Sequence, residues 1–470
     1  MFGLSTEERF FESWLTFEVL LPGGTLCTVI EDPAVRVILT DLVGKSLAHN
    51  KQDVCCVTGA FGDVAKTHFK VKGVPLSRSG QSSLVSFNAP AFRAYGMSDG
   101  DDGELSAPVS VQAMIAYTGA LNWLLGPGGR DNRRNIGDTA FLFWGGNGCV
   151  EQIGEVLNEP SDPKTQAKAE KKKAKAEGEA KKIFESPFTG VVTERTAQVN
   201  VLGITAAQAR ASIAYWRPGS AHDVSRNVLK WVDDIGWGGG LAWGESTGDL
   251  PWRPTVGRLT RLILNKDKGT GESAERARGR VSRALAACAF ENVRVPAEIA
   301  CHVARLIVCG DWKGGSRNGD LTTLTGLLGA YEIRQRNTTK ELIVANNMYI
   351  LGRFYSLVEK AEIDSLRARG SKIASAPVTR MKKAIYTRPR WGLQQLDERF
   401  EIALKRLRPE GQIYYRKLRN DMADMTAEPF PPTSVDGNLF LIGALHESRK
   451  LWAPKEQDSD ERVRKSELFA

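Results

Sequence analysis

Hydrophobic spacing changes character along this chain. Between Leu15 and Trp144 it is short and β-like, with runs at Leu15–Leu21, Val35–Leu39, Cys55–Thr58, Leu84–Phe87 and Ala140–Trp144 separated by turn residues. One helical pattern interrupts them, Val109–Leu125, where Met114, Tyr117, Leu121 and Leu125 fall on one stripe. A strand is expected at Ala197–Leu202, a turn at Gly203, and a helix opening at Thr205 and ending near Tyr215. Glycine-rich turns are expected over 236–248. Helical periodicity then takes over at Thr255–Leu264, Ser273–Phe290 and Pro296–Val308.

From about Ala345 the pattern is that of a bundle. Ile350, Leu351, Phe354, Leu357, Val358 and Ala361 cover one side of the first helix, and Arg353 and Lys360, seven apart, are expected to project together from the other. Leu396, Phe400, Ala403, Leu404 and Leu407 form the next stripe. Ile413, Leu418, Met422 and Met425 continue it, and Leu439–Trp452 closes the set. The expected fold class is α+β in the N-terminal and middle regions followed by a C-terminal α-helical bundle. The expected divisions are 1–158, a linker or insertion at 159–186, a mainly helical middle domain at 187–344, and a basic helical bundle at 345–470. Residues 160–182 hold eight Lys, three Glu, one Asp and no large apolar side chain. Such a stretch buries too little surface to offset its ordering entropy, so it reads as a flexible linker, with a frayed solvent helix as the alternative.

Composition adds exclusions. The chain has 470 residues, 42% of them hydrophobic and 25% charged, ordinary for soluble globular protein. No apolar run reaches the roughly 18 residues of a membrane span. The charged N-terminal stretch is unlike a signal peptide. The seven cysteines include no C-x-x-C pair. Reduced thiols and a cytoplasmic location are therefore expected.

Enzyme chemistry finds no footing. Gly44-Lys45-Ser46 ends like a P-loop, but Leu39 stands where the first glycine must let backbone N–H groups curl round a phosphate. Asn265-Lys266-Asp267-Lys268 misses the guanine-reading N-K-x-D at its last position. Gly238 to Gly244 misses G-x-G-x-x-G by one residue and reads as a loop. His49, His68, His222, His302 and His446 stand singly, without metal spacing. No enzymatic activity, cofactor or metal is expected.

Charge is the most informative signal. The window 353–419 holds 17 Lys and Arg against 7 Asp and Glu, a local +10 in a chain of net +9. Such concentration on an amphipathic helical segment points to a polyanion. Single strands need a cationic groove with faces for base stacking. The window offers Arg353, Lys360, Arg380, Lys382, Lys383, Arg388, Arg390, Lys405, Arg406, Arg416, Lys417 and Arg419, with Tyr386, Trp391, Tyr414 and Tyr415 among them. The alternative is a solvated basic face with its aromatics in the core. A second candidate is the loop 70–83, where Gly73 and Gly80 permit close backbone approach and Lys70, Lys72, Arg78 and Gln81 can reach phosphates or base edges. A plain surface loop is its alternative.

The helix Tyr349-Ile-Leu-Gly-Arg-Phe-Tyr-Ser-Leu-Val-Glu-Lys-Ala-Glu362 resembles the Y-x-L-G-R-L-x-x-x-L-E-K-A-Q segment of the large subunit of type I-C CRISPR Cascade complexes. Further likenesses keep the family's order. Cys55-Cys-Val-Thr-Gly59 is similar to its C-L-V-T-G, and Ser83 to Gly96 to its S-x-V-S-F-N-x-x-A-F-x-S-Y-G. Ala107-Pro-Val-Ser110 with Tyr117 to Asn122 resembles A-P-V-S and Y-x-T-A-L-N. Gly137-Asp-Thr with Phe143-Trp144 resembles D-x-T-x-x-F-W. Val201 to Ile204 followed by Ala209-Arg210 and Tyr215-Trp216 resembles V-L-G-L-S-x-N-A-A-R with a following F-W, and Gly437 to Gly443 resembles G-L-F-x-x-G-Y. The resemblance implies a non-catalytic subunit that helps recognise the protospacer-adjacent motif (PAM), opens the duplex, holds the displaced strand and recruits the helicase-nuclease. Implied partners are crRNA, target double-stranded DNA and its displaced single strand, the other Cascade backbone and crRNA-processing subunits that the resemblance brings with it, and a small subunit translated internally from Met348, for which an ordinary core methionine is the alternative reading. Two departures accompany it. Much of the region that the family carries before C-L-V-T-G is expected to be missing, which weakens motif reading most. Gln52 stands where members place a second Cys. The competing expectation is a free-standing RNA- or DNA-binding protein with a basic helical bundle.

Overall fold

A computed structural model describes residues 18–20, 26–28, 32–87, 106–146, 149–158, 197–242, 245, 252–264, 271–310, 317–371, 375–423 and 436–453. The expected linker 159–186, Met425 and most of the 83–96 motif lie outside the described residues. The chain divides into two compact units, one of 1–128 with 206–212, the other of 129–205 with 213–470.

The first unit contains β1 (Glu18–Leu20), β2 (Leu26–Thr28), α1 (Pro33–Leu47), β3 (Ala48–Val54), β4 (Phe61–Ala65), β5 (Val71–Lys72), β6 (Gln81–Ser82) and α2 (Val111–Leu125). Its strands form three separate antiparallel pairs, β1–β2, β3–β4 and β5–β6. The run Val35–Leu39 is helix, not the expected strand. Asp32 caps the first turn, accepting from the N–H groups of Ala34 and Val35, and Pro33 supplies a helical φ at the first position. Those start signals outweigh the β-branched run. Residues 55–58 form a turn and 84–87 are irregular. The expected helix at 109–125 is present as α2, capped by Ser110.

The second unit opens with β7 (Arg133–Ile136), β8 (Thr139–Gly145), α3 (Cys149–Leu157), β9 (Gln198–Ala207) and β10 (Arg210–Ser220), whose strands form one sheet in the order β10-β9-β8-β7; the tip of the β9–β10 hairpin, 206–212, counts with the first unit. The helix expected at 205–215 is absent. The chain continues through Gly203 as strand and reverses at Gln208, whose φ is +58°. Alanines at 206, 207, 209 and 211 favour helix locally, but β9, already paired with β8 at Val199–Ile204, pairs on its other side with β10, and that overrides the preference.

Helices follow: α4 (Ala221–Gly239), α5 (Val256–Leu264), α6 (Glu272–Glu291), α7 (Ala297–Cys309), α8 (Arg317–Arg336), α9 (Lys340–Val344), α10 (Asn347–Arg367), α11 (Lys382–Thr387), α12 (Pro389–Leu404), α13 (Pro409–Ala423) and α14 (Gly437–Trp452). The fold class is thus α+β followed by a helical bundle, as expected. Part of the glycine run at 236–248 is the end of α4. A Cβ on Gly238 would stand 2.6 Å from the Cα of Gly329, so these glycines let α4 and α8 touch backbone to backbone. The same device joins α10 to α14, where a Cβ on Gly352 or Gly443 would meet a carbonyl oxygen (Phe440 or Tyr349) at 2.0 Å. Ser356 Oγ donates to the Ala444 carbonyl at 2.7 Å where these helices meet. One continuous core runs from Ile136 in the sheet to Ala444 in α14. Among the described residues no helix is long and apolar enough to cross a membrane.

Candidate nucleic-acid interface

The loop 70–83 is a short hairpin, with Lys72 paired opposite Gln81. Gly73 and Gly80 both have positive φ, at 77° and 69°, which glycine adopts freely, and Leu76 between them is also left-handed, at 59°. Its base is held from two sides. Asn122 on α2 accepts from the Lys72 N–H at 2.8 Å and donates to the Lys70 carbonyl at 3.2 Å. The Arg78 N–H donates to the Gln208 carbonyl, and Ser83 exchanges backbone hydrogen bonds with the Ala209–Ala211 turn. The backbone is fixed while Lys70, Lys72, Arg78 and Gln81 all stay exposed.

In the bundle the expected basic face divides in two. Arg353 and Lys360 do not project together into solvent. Arg353 Nε donates to Glu447 on α14 at 2.8 Å, and the Glu447 side chain is only 2% exposed. Lys360 bonds both oxygens of Asp364 at 2.8 Å and places its ammonium 4.2 Å from the centre of the Trp452 ring. The face of α10 opposite its main stripe is covered by α14, which a periodicity argument on one helix cannot reveal. Lys382 is half-buried, and burial pushes its pKa down while nearby Glu359 holds it up. Burial in turn raises the Glu359 carboxyl, opposed by Lys382. Arg419 donates to Asp397 at 3.1 Å with its guanidinium 4.1 Å from the Phe354 ring centre. These four cations support helix packing.

The remaining candidates gather at the ends of α12. Arg380, Lys383, Arg388 and Arg390 are exposed around its N-terminal end, and Lys405 and Arg406, with Arg408 beside them, in the turn after its C-terminal end. Lys417 is exposed on α13. Arg416 is exposed too, but meets Glu401 in a two-pronged pair at 3.2 and 3.0 Å. Arg380, Lys383, Arg388, Lys405, Arg406, Arg408 and Lys417 have no ion-pair partner among the described residues. The 16 residues of α12 separate the two clusters by about 24 Å. Its exposed positions, Arg390, Trp391, Gln394, Glu398 and Ile402, lie within about 120° of one another and join the clusters along one stripe.

Aromatic positions divide likewise. Trp391 is 38% and Tyr414 48% exposed, as stacking requires. Tyr386 leans on Phe440, and buried Tyr415 donates to Asp364 at 2.6 Å. Burial and then that hydrogen bond raise the Tyr415 pKa. Ile413, expected in the core, is 69% exposed on the outer face of α13. Among the described residues no group of three His, Cys, Asp or Glu is placed to hold a metal ion.

Comparison with known proteins decides the family. The profile described as CRISPR-associated protein (Cas_Csd1) matches residues 2–452. The chain belongs to this family. None of the curated proteins compared with it matches. Membership makes it a CRISPR-associated effector protein of the Cascade type, whose setting is a complex with other Cas subunits.

Two elements of this Cas_Csd1 chain have roles that its motifs did not disclose. Asn122, the last residue of the Y-T-G-A-L-N stretch, clamps the basic hairpin. Arg399 joins Glu362 at 2.8 Å, and the same carboxylate accepts from the Val378 N–H at 2.8 Å, fixing the turn that presents Arg380 and Lys383. Both act between residues far apart in sequence, and a linear pattern contains no signal for them.

Proposed function

We propose that this Cas_Csd1 protein is the non-catalytic large subunit of a type I-C-like CRISPR Cascade. In this reading it binds crRNA-guided target DNA, supports PAM recognition and duplex opening, stabilises the displaced non-target strand and recruits the helicase-nuclease. Base pairing with the guide reads sequence, and protein reads a short motif and the backbone. The observation that carries strand holding is the pair of exposed cationic clusters joined by the Trp391-bearing stripe of α12. Phosphates of an extended strand would meet the clusters, and bases would stack on Trp391 and Tyr414. The clamped hairpin 70–83 has the rigidity and exposed donors suited to the duplex beside the motif.

The test is assembly followed by R-loop lifetime. The protein should co-purify with crRNA and the repeated backbone subunits. In that complex, Lys383→Ala/Arg388→Ala/Arg406→Ala/Lys417→Ala should shorten R-loop lifetime at physiological salt. A clean monomer without RNA would favour a free-standing nucleic-acid-binding protein instead. Metal-dependent DNA cleavage by the purified chain would overturn the non-catalytic assignment.

A further inference from the structure

The sheet of the second unit carries an aromatic pair that the bundle does not use. Phe143 is fully buried in the core, so alternation along β8 turns Trp144 to the other face. On β10, Tyr215 packs edge-on against core Phe141 with ring centres 6.1 Å apart, which turns Trp216 to the same side as Trp144. The two indoles lie 5.9 Å apart at 38°, and Trp216 is 50% exposed although it sits on a β-strand. This face is closed over Leu142 and Leu202 and open at the tryptophans.

The strands that carry the pair add polar groups and no acidic ones. Asn200 is registered opposite Trp144, and Arg133 opposite Leu142, which places both on the tryptophan face. None of the four strands contains an Asp or Glu. A protein-docking face of ordinary size would continue its apolar surface. Here two indoles are bordered by an arginine and an amide, the combination that stacks a base, reads its edge and neutralises its phosphate.

We infer that Trp144 and Trp216 form a base-stacking platform for single-stranded DNA, with Arg133 on the phosphate and Asn200 on the base edge. The site lies on elements separate from α12, and it rests on the proposed function only for DNA rather than RNA.

The test uses the full-length chain and a fluorescein-labelled oligo-dT, with affinity followed by anisotropy over a salt series. Trp216→Ala should weaken binding about tenfold at every salt concentration, the usual loss for one stacked base, and leave the slope of log affinity against log salt unchanged. Trp216→Phe should restore most of it, and a thermal melt should show both variants folded. Bundle variants lower the slope instead, so failure of one surface is distinguishable from failure of the other. Unchanged dT affinity in Trp216→Ala overturns the proposal. So does a tenfold loss on oligo-rU with none on oligo-dT. Loss of a Cas subunit from the complex with unchanged dT affinity would make the face a protein-docking surface and overturn it too.

Discussion

The cations on α10 and those flanking α12 come from one basic window, yet the fold uses them differently. Arg353 and Lys360 stand mid-helix, each with a carboxylate within 2.8 Å and a second helix or the Trp452 ring over it. Arg388, Lys405, Arg406 and Arg408 stand at helix ends or in the following turn, exposed. A buried cation must be paired because desolvation is costly, whereas a cation at a turn keeps its water and its reach. Local charge therefore overstates the ligand surface. Of the twelve basic candidates in the window, Arg353, Lys360, Lys382 and Arg419 belong to the architecture.

The largest effect that could break this division is on stability. Arg353→Ala would leave the Glu447 carboxylate buried without its partner, and should cost about 3 kcal/mol or more in urea unfolding. Strand affinity of the folded fraction should not change. Weakened DNA binding at unchanged stability would return Arg353 to the binding surface. Next in size is the adjacent pair on α11. Lys383→Ala should weaken oligo-dT binding by a few-fold and leave stability within about 0.5 kcal/mol, as for an ordinary surface change. Lys382→Met should leave oligo-dT binding unchanged, because burial withdraws that ammonium from water and the charge of Glu359 opposes it. Equal losses in the two variants would dissolve the distinction.

The smallest expected effect comes from His446, an interior group kept neutral. Tyr349 O–H donates to Nδ1 at 2.9 Å, and Nε2–H donates to the Trp237 carbonyl at 2.7 Å. Burial lowers its pKa, and Arg449 and Arg353 add to this against the backbone hydrogen bonds to Trp237 and Gly238. Its contribution to stability is therefore present above the ordinary histidine range and is lost as pH falls below it. Thermal stability should decline between about pH 7 and 5, and His446→Gln should flatten that decline. A variant that retains the full decline would assign it to other groups.

The legible and illegible parts of the sequence differ in range. Heptad-like stripes such as Ile350–Ala361 report one helix's buried face, and α10, α12 and α14 were visible on that basis. The β9–β10 hairpin was legible only over Ala197–Leu202, because Thr205–Arg210 is rich in helix formers and the pairing of β9 with β10 that carries the strand to Ala207 leaves no local pattern. Glycine was misleading for a related reason. Gly236, Gly238 and Gly239 look like loop punctuation, but two of them lie where α8 packs closely on α4. At the site, the candidate cations were visible as residue types, while their sorting into pairs and exposed groups depends on Glu447, Asp364, Asp397 and Glu401. Glu447 lies outside the window altogether.

The most direct test of the central claim is the salt dependence of oligo-dT binding by the full chain and two sets of variants. Removing Lys383, Arg388, Arg406 and Lys417 together should reduce the slope of log affinity against log salt by about 0.7 for each phosphate no longer neutralised. Replacing Lys360, Lys382 and Arg419 should leave the slope of the folded protein at the wild-type value. Equal slopes for the first set and the wild type, or a reduced slope for the second, would contradict the assignment of strand binding to the ends of α12.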